Sequence, residues 1–299
     1  MRAAAVRNQR GMVLLVVLLI ISLITVMAAN LSRFGQSARQ RIGDEQQSLQ
    51  ARWRLLGAEA AVAAELQRQL DGNGGILPGA ARWLQPQAVR VNDADVSYVL
   101  RDLGACFNLN WLLSAPGKEK KESQNLRAPG DWLQQLFAAA GAGQGIGGEA
   151  LQTMLQGFQF RDPSQLLAVA RISPEAWQRL APLLCAVSGK TEANTLNING
   201  LTPAQIPLIQ AAMVKRVEEE PLRQLLASRP EKGLKDLQQI PQAILSSLPA
   251  ASLFRYSSAD YQLSMESVTP EGRWRLVSQL HYEKRKMRVV YRQLEESAR

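Results

Sequence analysis

The sequence predicts an α+β protein in which a long N-terminal helix packs on an antiparallel sheet, with a large helical segment inserted into that sheet. Three observations support this class. No proline occurs before Pro78, and apolar residues recur there at helical spacing. Apolar and polar residues alternate in 88–103 and again in 260–294, as they do in strands. The intervening residues 112–250 contain several short helix signals.

The N-terminal apolar run is long enough to span a membrane. No charge occurs from Gly11 to Ser32, and a helix of that length covers about 30 Å, the thickness of the hydrocarbon core, at ~1.5 Å per residue. We assign the transmembrane helix to 12–32. Three arginines precede the run, so the positive-inside rule predicts a cytoplasmic N-terminus and the transfer of 33–299 across the membrane. A conventional secretion signal, removed by a cut after Ala28 or Ala29, is the alternative.

The helix is predicted to continue beyond the membrane over 33–72. Apolar residues recur in this segment mostly at spacings of three and four, which makes one stripe of an amphipathic helix that ends near the glycine-rich sequence at 71–75. We expect this stripe to pack on the globular part of the protein. Its members are Phe34, Ala38, Ile42, Leu49, Trp53, Leu56, Ala60, Ala63, Leu66 and Leu70.

The predicted sheet comes from two parts of the chain, 78–111 and 251–294. The first part contains a strand pair with a turn at Asn-Asp-Ala-Asp, and the second contains three alternating segments. Residues 112–250 form the predicted inserted domain. Ser173 and Thr202, each followed by proline, are the expected N-caps of two of its helices. Such short helix pairs resemble SAM-like or helix-hairpin-helix modules.

The composition excludes several classes of function. With two cysteines and one histidine among 299 residues, the chain cannot form a cysteine–histidine zinc site, and it has no phosphate-binding loop and no nucleophile motif. We therefore predict a protein that is not an enzyme. The formal charge of +9 is not concentrated in an uninterrupted basic tract or paired with stacking aromatic residues, so no nucleic-acid partner is predicted.

The leader and first helix carry a family resemblance. The sequence RGMVLLVVLLIISLITVMA, residues 10–28, resembles the start of type IV pilin-like proteins. This resemblance implies that 1–11 is a leader cut by a prepilin peptidase between Gly11 and Met12, and that Met12 becomes the N-methylated first residue. Most members have glutamate at the fifth mature position, where this chain has Val16. Since a lone carboxylate in lipid is costly and needs a partner, Val16 suits a subunit with no neighbour above it.

The rest of the chain resembles the minor pseudopilin K family of type II secretion systems. The likeness rests on RDLGACFNLNWL (101–112), WQRLAPLLCAVSGKTEANTLNINGL (177–201) and SRPEKGLKDLQQI (228–240). It implies the pseudopilin fold with its inserted domain, an inner-membrane anchor and a periplasmic head. It further implies partners of the I and J types together with the major pseudopilin, and a role in capping or nucleating the pseudopilus tip during protein export. The alternative is a single-pass anchored periplasmic module that binds DNA or protein through its helical hairpins.

Two Asn-x-Asn motifs and two cysteines are the remaining candidate site residues. We favour structural roles for Asn108, Asn110, Asn197 and Asn199 over ligand binding, because asparagine side chains commonly bond to backbone at strand ends and turns. If 33–299 lies in an oxidising periplasm, Cys106 and Cys185 are a disulfide candidate, with two separate buried thiols as the alternative.

Metal binding is not predicted. The resemblance suggests calcium, which family members hold in an acidic part of the inserted domain, and calcium needs several oxygen ligands close together. The corresponding region of this chain offers only Asp162. We therefore expect no cofactor and no calcium.

Overall fold

The computed structural model describes residues 6–92, 94–113, 125–142, 159–187, 194–245, 251–269 and 272–298. The chain divides into two compact units, Met1–Trp53 and Arg54–Arg299. Helix α1 is continuous over Val6–Gly72, so the apolar run and the amphipathic segment belong to one helix, as predicted. It ends at the predicted glycine-rich turn, where Gly74 and Gly75 adopt positive φ angles that other residues rarely tolerate.

The larger unit contains an antiparallel sheet whose five strands are hydrogen-bonded in the order β1 (Gln87–Val91), β2 (Ala94–Asp102), β7 (Asp260–Val268), β8 (Gly272–Glu283) and β9 (Lys286–Ala298). The strand pair and the three later segments form strands where the sequence predicted them. Strand β2 pairs with β7, with Arg101 opposite Gln262, so the sheet joins two distant parts of the chain.

The described residues between β2 and β7 form short helices and two-residue strands. One short helix, α2 Ala80–Trp83, precedes the sheet. The α-helices described between β2 and β7 are α3 Pro129–Ala140, α4 Leu166–Val169, α5 Pro174–Leu180, α6 Ile206–Ala212, α7 Glu219–Ala227 and α8 Gln242–Leu245. The strands are β3 Phe107–Asn108, β4 Leu184–Cys185, β5 Leu196–Asn197 and β6 Phe254–Arg255. The elements between β2 and β7 share a core of apolar side chains that includes Phe107, Trp132 and Leu184. The boundaries of the inserted domain at 112 and 250 stay a prediction.

The predicted N-caps are present. The Ser173 hydroxyl accepts a hydrogen bond from the Ala176 amide at 3.2 Å, and Pro174 occupies the first turn of α5. The Thr202 amide donates to Oε1 of Gln205 at 2.7 Å, which closes a capping box. Both signals are local, so they could be read from the sequence without knowledge of the packing.

The C-terminal part of α1 contacts the β8–β9 hairpin through polar side chains. The Tyr282 hydroxyl lies 2.7 Å from Oδ1 of Asp71. The buried Glu59 carboxylate pairs with Arg292, with Oε2 and Nη2 at 2.6 Å. Glu59 and Asp71 lie more than three turns apart and about 120° from each other around the helix, so the two contacts together fix the rotation of this part of α1 about its own axis.

The face of α1 that is buried differs from the predicted stripe. Leu66 and Leu70 are buried as expected, but Ile42, Leu49 and Trp53 are exposed, and the side chains of Phe34 and Ala38 lie outside the description. Leu55, Ala58 and Val62 are buried instead of Leu56, Ala60 and Ala63. The prediction was wrong because the helix has apolar residues on more than one face, and spacing alone does not show which face is covered.

Candidate functional site: an apolar helix and two asparagine junctions

The N-terminal part of α1 presents an apolar surface on every side. Residues Met12–Arg33 have a mean hydropathy of 3.1, and none of that stretch is buried. The only hydroxyls between Met12 and Leu31 bond within the helix, Ser22 to the Leu19 carbonyl and Thr25 to the Ile21 carbonyl, each at 2.8 Å. A helix of this length and composition, with these two hydroxyls bonded to its own backbone, can cross a bilayer.

The two residues that flank the predicted cleavage site lie on this helix. Gly11 and Met12 both fall within α1, and Val16 is exposed one turn further along. Nothing but hydrocarbon and hydroxyl side chains follows Val16 until Asn30, apart from the thioether of Met27. Cleavage after Gly11, methylation of Met12 and the role of Val16 in a filament stay predictions.

The first Asn-x-Asn motif closes a junction between β3 and β4, which run parallel. Oδ1 of Asn108 accepts the backbone amides of Asn110 and Val187, both at 3.1 Å. The Asn110 amide group donates to the carbonyls of Phe160 at 2.9 Å and Val187 at 2.8 Å, while its oxygen accepts the Phe160 amide at 2.8 Å. Asn110 therefore joins three segments of the chain.

A disulfide adds a covalent bond to this first junction. Cys106 and Cys185 are bonded, with their Cα atoms 5.8 Å apart, and both are buried. Cys106 precedes β3 and Cys185 belongs to β4, so the bond links the two strands that the asparagines also join. The predicted pairing is present in the structure.

The second Asn-x-Asn motif closes an equivalent junction between β5 and β6, which are also parallel. Oδ1 of Asn197 accepts the Asn199 amide at 3.2 Å. The Asn199 side chain donates to the carbonyls of Leu234 at 2.8 Å and Tyr256 at 2.7 Å, and accepts the Leu234 amide at 2.7 Å. All four motif asparagines are buried and bonded to backbone, which agrees with the structural roles predicted for them.

We call Asn110 and Asn199 the clamping asparagines, because each holds two other segments of the chain by their backbone. One held segment at each junction has a similar sequence. Phe160 begins FRDPSQ and Leu234 begins LKDLQQ. In the first, Oδ1 of Asp162 accepts the Ser164 amide at 2.8 Å and Oε1 of Gln165 accepts the Arg161 amide at 2.7 Å. In the second, Asp236 and Gln239 bond to backbone at the same relative positions. Sequence reasoning missed this repetition, although aligning the two Asn-x-Asn motifs would have shown it.

Asp162, the one carboxylate considered for calcium, is thus a helix-capping residue. Its acceptor oxygen is engaged by Ser164 within its own turn. Over the described residues, no group of three or more aspartate, glutamate, histidine or cysteine side chains is placed to hold a metal ion.

A buried carboxylate distinguishes the second junction. Oδ2 of Asp102 accepts from the Asn197 side chain at 2.6 Å, and Oδ1 accepts the Gly104 amide at 2.7 Å. Ser258 and Arg255 also act on this carboxylate. Burial is the dominant influence and raises the pKa of Asp102, while these hydrogen bonds and the Arg255 charge oppose the rise.

Two glycines make room for this carboxylate. A Cβ at Gly200 would lie 2.5 Å from Oδ2 of Asp102, and a Cβ at Gly104 would lie 2.6 Å from Nη2 of Arg255. Such distances are far below van der Waals contact, so only glycine fits at either position without a shift of the cluster. Sequence reasoning identified neither Asp102 nor these glycines.

Known proteins resemble this chain over most of its length. Compared with models of protein families, the chain matches none. The type II secretion system protein K of Aeromonas hydrophila is 30% identical over 280 residues, which cover 81% of this chain and 83% of the relative. This chain belongs to the type II secretion system protein K family. The protein K of Pectobacterium carotovorum subsp. carotovorum is 26% identical over 96% of both chains.

A solved structure supports the fold of this protein K family member. One chain of the crystal structure of the GspK–GspI–GspJ complex from enterotoxigenic Escherichia coli superposes with a TM-score of 0.62 at 20% identity. The match covers 86% of this chain and 100% of that chain. The family resemblance and the α+β fold class predicted from the sequence are therefore confirmed, and the relatives are components of a secretion system rather than enzymes.

Proposed function

We propose that this chain is a minor pseudopilin that caps or nucleates the pseudopilus tip of a type II secretion system and so supports export across the outer membrane. The observation that carries the proposal is the exposed apolar helix Met12–Arg33 at the start of a protein K family member. Such a helix has no partner in the isolated chain, so it requires lipid or the helices of other subunits.

The orientation and processing belong to the same proposal. The three arginines before Gly11 hold the N-terminus in the cytoplasm, and the head faces the periplasm. The prepilin peptidase removes 1–11 and methylates Met12. The disulfide Cys106–Cys185 agrees with an oxidising compartment for the head.

The tip position follows from the first helix and from the inserted segment. No carboxylate occurs between Met12 and Arg33, so the helix offers no acid to pair with the amino terminus of a subunit above it. The bulk of 112–250 would obstruct a further subunit there. Partners of the I and J types lie beside this chain, by analogy with the matched complex, in which GspK is bound to GspI and GspJ, and the major pseudopilin adds below.

Mass spectrometry of the mature N-terminus tests this proposal. In cells with prepilin peptidase, the protein should begin at N-methylated Met12, and in cells without it the leader should remain. Gly11→Leu should retain the leader in both strains, whereas Ala5→Leu, which leaves the cut site intact, should be processed normally. A mature protein that begins after Ala28 or Ala29 would contradict the proposal.

The tip position is tested by Val16→Glu. If the missing acid restricts this subunit to the tip, the variant should enter the pseudopilus shaft, and its ratio to major pseudopilin in sheared filaments should rise. Val17→Glu, which puts the same charge on a different side of the helix, is the control. An unchanged ratio for Val16→Glu would count against the role assigned to Val16.

A further inference from the structure

The chain contains two Asn-Gly pairs, Asn73-Gly74 after the end of α1 and Asn199-Gly200 at the second junction. In such a pair the backbone nitrogen of glycine can attack Cγ of the asparagine side chain, because glycine has no Cβ to hinder the approach. The two pairs have the same chemistry, so a difference between them in the folded protein must come from their surroundings.

The attacking nitrogen is free at the first pair and engaged at the second. Within the described part of the chain, the Gly74 amide has no hydrogen-bond partner, whereas the Gly200 amide donates to the Asn197 carbonyl at 3.0 Å. Gly74 is exposed and Gly200 is buried. The Gly74 nitrogen can therefore lose its proton to solvent without breaking a hydrogen bond to the rest of the described chain.

The space around the two pairs also differs. A Cβ at Gly74 would have nothing within 4 Å, while a Cβ at Gly200 would lie 2.5 Å from Oδ2 of Asp102. An open pocket of about 400 Å³ lies beside the first pair, lined by Gly72, Asn73, Gly74, Ile76 and Lys235. Water thus reaches the first pair and its backbone has room to rotate, whereas the second pair is close-packed.

We propose that Asn73 is a site of spontaneous deamidation in the folded protein and that Asn199 is protected. The Gly74 nitrogen gives its proton to solvent and forms a bond to Cγ of Asn73. The Cγ–Nδ2 bond breaks, and the side-chain nitrogen takes up a proton and leaves as ammonia. Water then opens the resulting succinimide at one of its two carbonyls, which gives aspartate or isoaspartate. No atom is oxidised or reduced, and water is the only co-reactant.

The reaction removes two hydrogen bonds at the end of α1. Nδ2 of Asn73 donates to the carbonyls of Ile76 at 2.9 Å and Lys232 at 2.7 Å. A carboxylate in its place would set a negative oxygen against these two carbonyl oxygens. Lys232 lies two residues before Leu234, whose amide Asn199 holds at 2.7 Å. Deamidation of Asn73 therefore releases one of the two asparagine contacts to this short segment and leaves the other in place.

Peptide mass spectrometry of the purified full chain in detergent tests the proposal. At mildly alkaline pH the folded protein should accumulate aspartate and isoaspartate at position 73 at least about tenfold faster than at 199, because Asn199 reacts only when the second junction opens. In urea with dithiothreitol both pairs are exposed, and the two rates should agree within about twofold. Circular dichroism before and after incubation checks that the protein in the first sample stays folded.

Three results would overturn the proposal. One is an unmodified Asn73 in the folded protein, and another is equal or faster reaction at Asn199. The third is a rate difference in urea as large as in the folded protein, because the sequence around each pair would then set the rates. Asn73→Gln is the matched control, since its longer side chain would have to close a six-membered ring, and position 73 should then stay unmodified.

Hydrogen exchange tests the consequence of the reaction. Modified and unmodified wild type can be separated by ion exchange, because the product carries one more negative charge. The Gly233 amide, which bonds to the Pro230 carbonyl in the segment that Asn73 contacts, should exchange at least about threefold faster in the modified protein. Equal exchange at Gly233 would refute the loosening of this segment. Neither measurement depends on the proposed function, since both pairs lie outside the apolar run.

Discussion

The two asparagine junctions share a backbone pattern but differ in the chemistry around it. Asn110 and Asn199 make the same three bonds to backbone. Where the first junction has Cys185 beside its asparagines, the second has Arg255. The first is closed by a covalent bond and the second by a buried carboxylate with polar partners. The comparison shows that the clamping asparagine is common to both junctions, whereas the residues beside it form a disulfide at one junction and a carboxylate cluster at the other.

The residue that follows each motif reflects this difference. Trp111 follows the first motif and packs on Phe107 with ring centroids 5.3 Å apart. Gly200 follows the second motif because the Asp102 carboxylate occupies the space that a side chain would need. The buried Asp102 carboxyl group at the second junction thus occupies the place of the aromatic contact that the first junction has.

The largest effect is expected from removing the disulfide of the first junction. Cys106→Ala with Cys185→Ala should lower the free energy of unfolding by about 4–5 kcal/mol, because the bond closes a loop between residues 79 apart in sequence and so restricts the unfolded chain. Urea titration of the full chain in detergent measures this loss. Wild type reduced with dithiothreitol is the control and should show a similar loss. A loss below about 1 kcal/mol in both samples would mean that the asparagine clamp alone holds the first junction.

Removing either clamping side chain should have the next largest effect. Asn110→Ala and Asn199→Ala each leave one amide and two carbonyls without their partners, so each should cost about 3 kcal/mol. Asn73→Ala is the control, since its amide also donates to two carbonyls but at a site nearer to solvent, and it should cost less than about 1.5 kcal/mol. Unequal losses for Asn110→Ala and Asn199→Ala, measured by urea titration, would show that the two clamps are not equivalent.

A smaller effect is expected from a methyl group at the second junction. Gly200→Ala should cost about 1–3 kcal/mol, because its Cβ would overlap the buried Asp102 carboxylate. Gly72→Ala places a methyl group where nothing lies within 4 Å and should change the stability little. Thermal unfolding followed by circular dichroism compares the two. Equal stability of Gly200→Ala and wild type would show that the Asp102 cluster can shift freely.

The smallest effect is a dependence of stability on pH at the second junction. Since burial raises the pKa of Asp102 in the folded protein, its contribution to stability is complete below the ordinary carboxyl pKa and is lost as the pH rises through the raised value. Asp102→Asn has no such proton to lose. As the pH rises from acid to neutral, the free energy of unfolding of the wild type should therefore fall relative to that of Asp102→Asn. Urea titrations of both proteins at several pH values measure this change. A shift in the opposite direction would mean that hydrogen bonds and Arg255 outweigh burial.

Much of the fold could be predicted because its signals are local. The strands β7, β8 and β9 begin and end within a few residues of the alternating segments, and the caps at Ser173 and Thr202 are read from adjacent residues. The structural role of the asparagines could be inferred from their side-chain chemistry. Each of these features depends on residues close together in the sequence.

The features that the sequence did not reveal depend on distant residues. The role of Asp102 depends on its hydrogen bond to Asn197, and the need for glycine at position 200 depends on its contact with Asp102. These residues are far apart in sequence, so no periodic pattern indicates that they meet. The buried face of α1 was predicted wrongly for the same reason, because Leu55 and Leu56 are equally apolar and only the contacts of the helix decide which is covered. The local pattern fits burial of either face of α1, and only contacts with residues distant in sequence determine which face is buried.

The pairing of β2 with β7 has a consequence for the order of events during synthesis. The β1–β2 hairpin precedes β7 by about 160 residues of sequence, so the edge of β2 stays unpaired until that distant strand arrives. An open strand edge invites pairing with other chains. We therefore expect the chain to be open to aggregation until β7 pairs with β2, and a delay in that pairing to lower the yield of folded protein without any change to its finished form.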